Sequence, residues 1–78
     1  MIKRTITCFD NKTEELTKEI DISTIPLQKL QEIFDVERKN PMYDCYQITI
    51  DKKDFFEMQL KESFDLINNS YYVEAYEI

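Results

Sequence analysis

The chain has 78 residues, 42% hydrophobic and 13% aromatic, with a formal net charge of -6 and neither histidine nor glycine. That length confines it to one domain, residues 1–78, with a single small core, and the aromatic share argues against disorder. The acidity argues against nucleic acid and anionic membranes as partners and in favour of a basic protein.

Ile2 to Phe9 alternates as a strand does, with Ile2, Ile6 and Cys8 on one parity and Lys3, Thr5, Thr7 and Phe9 on the other. Phe9 is anomalous, a large aromatic on the water-facing parity, followed by Asp10, Asn11, Glu14 and Glu15. Two readings fit it: an aromatic on a face built to be covered by a basic partner, or an end-of-strand ring that turns into the core. Because glycine is absent, tight turns are expected at Asn and Asp, the first at Asp10-Asn11. A second strand is expected from about Glu14 to Asp21. Leu16 shares a parity with Ile20 and Ile22, but a bulge near Thr17 or Lys18 would bring it out beside Phe9.

Ser23-Thr24 before Ile25-Pro26 predicts a hydroxyl-capped helix start, and Leu27, Leu30, Ile33 and Phe34 give an apolar stripe through about Asp35. After a charged loop, Met42 to Ile50 reads as the third strand, with Tyr46, Ile48 and Ile50 buried and Tyr43, Cys45, Gln47 and Thr49 outward. Asp51 is the candidate cap of a second helix whose Phe55, Phe56, Met58 and Leu60 are expected in the core. Asn68-Asn69 marks the last turn. In the strand after it, Val73 and Ala75 face inward and Tyr72, Glu74 and Tyr76 outward. The expected architecture is α+β: a single four-stranded antiparallel sheet with one or two short helices packed on one face.

Chemistry is sparse. There is no histidine to serve as base or ligand, no CxxC, HExxH or glycine-rich phosphate loop, and Cys45 has no activating partner. An enzyme, a cofactor and a metal site are therefore not expected. Cys8 and Cys45 read as lying on opposite faces and so as free thiols of a cytosolic protein. No signal peptide or membrane-spanning run is read. What remains is the outer sheet face: Phe9 with Asp10 and Glu14 beside it, Leu16, Cys45, Tyr72, Glu74 and Tyr76. An aromatic centre rimmed by acids suits a cationic protein partner. The alternative is a small structural or regulatory module that self-associates through the same face as a homodimer, since extra buried area would help so short a chain.

Three blocks give a resemblance to the immunity proteins of cloacin and the ribosome-inactivating colicins. They are Phe9-Asp10 with Asn11-Lys12-Thr13-Glu14-Glu15, Cys45-Tyr46 after an Asn-bearing loop, and Phe64-Asp65-Leu66-Ile67-Asn68-Asn69-Ser70-Tyr71-Tyr72-Val73. The resemblance implies a four-stranded antiparallel sheet with little helix and a cytoplasmic protein that neutralises a basic nuclease toxin domain, an RNase or the carboxy-terminal toxin of a contact-dependent growth inhibition system. It also implies toxin-facing roles for Phe9, Leu16, Cys45 and Tyr72. The chain departs from that pattern at Asp44, where the family has Gly, in a short central loop carrying Arg38 and Lys39, and in having no tryptophan. These departures leave the cognate toxin open.

Overall fold

Strand β1, Ile2–Asp10, is the axis of the computed structural model, which describes residues 1–78. It is flanked by β2, Leu16–Asp21, and by the closing strand β4, Asn69–Glu77. A two-residue strand β3, Tyr46–Gln47, lies beyond β4, so the order is β2-β1-β4-β3 with every pair antiparallel. With helix α1, Leu27–Ile33, and helix α2, Ile50–Leu60, the fold is α+β, one open four-stranded sheet and two short helices.

Strand alternation puts Ile6 and Cys8 of β1 on the same face as Tyr71 and Val73 of β4, and these pack with Ile22, Leu30, Phe56 and Phe64 into one core. Aromatic rings connect it: Phe34 and Phe55 contact Phe56 at 6.0 and 5.1 Å between centroids, Phe56 stacks on Phe64 at 6.4 Å, and Phe64 on Tyr71 at 4.5 Å. Full burial of a ring such as Phe56 or Phe64 stabilises the fold by roughly 1.5–3 kcal/mol relative to exposure. Both helices serve this face, leaving the other face of the sheet uncovered.

Several local expectations are corrected. Helix α1 is capped by Pro26 in an extended conformation (ψ 146°), without a side-chain cap. Ser23 sits instead in a turn in which its N–H donates to Asp21 Oδ1 at 2.7 Å. The third strand is far shorter than Met42 to Ile50. Ile50 is the first residue of α2 and 74% exposed, and the helix is capped at Thr49, whose hydroxyl bonds Asp51, rather than at Asp51. Met58 is 79% exposed, so the expectation that it joins the core fails. The last turn spans 66–68, with Asn69 already in β4. Left-handed backbone falls on Glu14, Asp35, Met42 and Lys61, of which only Asp35 is the expected residue type.

Candidate protein-docking face

The uncovered face is laid out by register. Across β2, β1 and β4 run the rows Asp21, Thr5, Glu74; then Glu19, Thr7, Tyr72, with Gln47 of β3 beyond; then Leu16, Phe9, Ser70. Between Cys8 and Phe9 the pairing steps from Lys18 to Leu16, so Thr17 is the extra residue of a bulge. Its hydroxyl donates to the Cys8 carbonyl at 3.2 Å and lies 3.4 Å from Cys8 Sγ. The bulge reverses the parity of Leu16, which is 52% exposed opposite Phe9. Thr5 and Thr7 are buried although they lie on this face, because β1 has a neighbour on each side.

Phe9 lies on the outer face, not in the core, with its ring in an edge-to-face contact with Tyr72 at 5.9 Å and 71° between planes. The two residues are diagonal neighbours in the ladder, where long side chains reach one another. Next to the pair is a cleft of about 360 Å3 lined by Phe9, Asp10, Asn11, Glu14, Ser70 and Tyr72.

The turn that closes this cleft is held by its own hydrogen bonds. Asp10 Oδ1 accepts from the N–H groups of Lys12 and Thr13 at 2.7 and 3.1 Å. The Glu14 N–H donates to the Asp10 carbonyl at 2.7 Å, which fixes Glu14 at φ 63°. Asn11 ties the turn to the start of β4, its N–H donating to the Asn68 carbonyl at 2.9 Å and its Nδ2 to that of Ile67 at 3.3 Å.

On this face Asp21 meets Lys3, while Asp10, Glu14 and Glu74 are among the eleven of sixteen carboxylates that meet no lysine. Glu74 accepts a hydrogen bond from the Thr7 hydroxyl instead. It also adds to the effect of partial burial in pushing the Cys45 thiol up from its ordinary value. Both cysteines are free, Cys8 buried and Cys45 exposed.

Of the eight residues singled out by sequence, Phe9, Asp10, Glu14 and Tyr72 line one cleft and Leu16 lies across from Phe9. Glu74 and Tyr76 continue along β4 away from it, Tyr76 opposite Lys3 and 39% exposed, with Cys45 near Glu74. Sequence reading missed Asn11 and Ser70 as lining residues. The signal for both is the β1–β4 register, which no local pattern in either strand encodes. No group of three or more His, Cys, Asp or Glu side chains could hold a metal ion, and no helix is long and apolar enough to cross a membrane.

The family model described as a domain of unknown function (DUF7683) matches residues 3–74, and the chain belongs to that family. No curated protein matches it.

Proposed function

We propose that this DUF7683 member is an immunity protein, a non-enzymatic inhibitor that docks on a basic nuclease toxin domain in the cytoplasm and denies it access to RNA. The observation that carries the reading is a set of carboxylates without cationic partners around the Phe9–Tyr72 ring pair, on a sheet face that no helix covers. The likeness to cloacin and colicin immunity proteins in the residues around Phe9, Cys45 and Tyr72 supports it.

A nuclease presents cations where phosphate must bind. The acids here match that chemistry and speed encounter, while the rings fill pockets and slow release. The test is to co-express the chain with the products of the genes beside its own, among which the reading requires a basic, nuclease-like protein, and to follow co-purification and growth rescue. The expected result is a stable one-to-one complex and restored growth. Continued killing without a complex, together with a concentration-independent dimer that buries Phe9 and Tyr72, would overturn the proposal in favour of a self-associating module.

A further inference from the structure

We infer that the cleft beside Phe9 and Tyr72 receives an arginine side chain of the partner, and that an adjoining groove receives the aliphatic residue next to that arginine. The inference deepens the docking reading above and rests on it. The groove, about 350 Å3, is lined by three apolar residues, Ile48, Ile50 and Leu66, and by four polar ones, Ser70 among them. Ser70 also lines the acidic cleft, so the two hollows adjoin at the beginning of β4. Each lies at the low end of the roughly 300–1,000 Å3 that holds a small molecule, a size that suits single side chains.

Their linings differ in kind. The cleft has two rings and two carboxylates, and no lysine or arginine lines either hollow. Lys12 belongs to the same turn as Asp10 and Glu14 but forms no ion pair with them. In the groove, the outward side chain of Ile50 has no apolar cover at 74% exposure. A guanidinium suits the cleft better than an ammonium because its plane stacks on a ring while its edge donates to a carboxylate. Glu14 is the acceptor best held for this, since its backbone is fixed and its carboxylate has no hydrogen bond within the chain.

The probe is a blocked dipeptide, N-acetyl-Arg-Leu-amide, titrated into the isotopically labelled full chain and followed by amide shifts. Saturable shifts are expected at Asn11, Glu14, Ser70 and Leu66, with weaker binding of the Lys-Leu analogue and no shifts in the cleft with Glu-Leu. Glu14→Gln should weaken Arg-Leu binding by about threefold. Ile50→Ser, at an exposed position, should weaken Arg-Leu but not N-acetyl-Arg-amide. Shifts spread over every acidic surface, or equal binding by Glu14→Gln, would overturn the inference. If the toxin domain binds the parent, Glu14→Gln and Ile50→Ser equally, the inference falls and the immunity reading stands. If the dipeptide binds in the cleft but no toxin is captured, the cleft stands and the immunity reading falls.

Discussion

Lys61 ends α2 with φ 54° and ψ 41°, a left-handed conformation that costs a non-glycine residue roughly 1–2 kcal/mol. The same strain recurs at Glu14, Asp35 and Met42, because the chain has no glycine to place there. Lys61 is exposed and forms no salt bridge, so replacing it removes little else. Lys61→Gly is expected to stabilise the fold by about 0.5–1 kcal/mol, read as a higher urea midpoint with an unchanged denaturant slope. Asp65 makes a different contribution. Its carboxylate accepts from Asn68 Nδ2 at 2.8 Å and from the N–H groups of Ile67 and Asn68 at 3.1 Å each. These bonds, those from Asn68 first, hold it below its ordinary value of 3.8. Between that lowered value and 3.8 the folded state binds fewer protons than the unfolded state, so the stabilisation is complete above 3.8 and is lost as pH falls through the native value. Asp65→Asn should therefore destabilise at pH near 7, with the gap from the parent narrowing as pH drops through the acid range. Urea unfolding of both proteins across that range would reveal a constant gap if ionisation of Asp65 were irrelevant.

Helix α2 shows where local pattern and packing part. Phe56 and Leu60 are one helical turn apart and share a face, whereas Met58 lies two residues from each and so on the far side. Hydrophobicity alone places Met58 in the core, and the helical angle takes it out. Phe56 is fully buried among the rings of Phe34, Phe55 and Phe64. Phe56→Ala should cost about 3–5 kcal/mol, enough to unfold much of so small a domain, while Met58→Lys should change stability by less than about 0.5 kcal/mol. Thermal melts of the two variants would decide it, and equal melting temperatures would contradict the assignment. The third strand is shorter than its sequence pattern for a related reason. Ile48 and Ile50 continue the strand alternation on paper, but Thr49 and Asp51 start a helix, and the helix takes Ile50. Upstream, Met42 turns into the core at φ 56°, and Arg4 Nη2 holds the Pro41 carbonyl at 2.7 Å. Pairing with β4 thus begins only at Tyr46. Strands β1 and β4 were legible because nine consecutive residues of each alternate against a single partner register. Leu16 was legible only as an alternative, since a bulge is a property of two strands together.

The whole molecule separates its labours by face: helices and rings on one side of the sheet supply stability, and the other side keeps acids and two half-buried rings in water. That division assigns different kinetic effects to different substitutions at the proposed interface. Phe9 and Tyr72, as anchors, should act on dissociation, and Phe9→Ala or Tyr72→Ala should each weaken binding of the toxin domain by about 2 kcal/mol or more. Their rings touch at 5.9 Å, so removing one already disturbs the other. The double variant should then lose less than the sum of the single losses. Glu14→Gln should slow association, an effect that shrinks at high salt because screening removes the long-range attraction from parent and variant alike, and should also speed dissociation where Glu14 holds the arginine. Surface plasmon resonance at two ionic strengths separates these effects. Additive losses for the ring pair would mean that the two residues do not form one anchor, and salt-independent association of the parent would mean that the net charge of -6 plays no part in finding the partner.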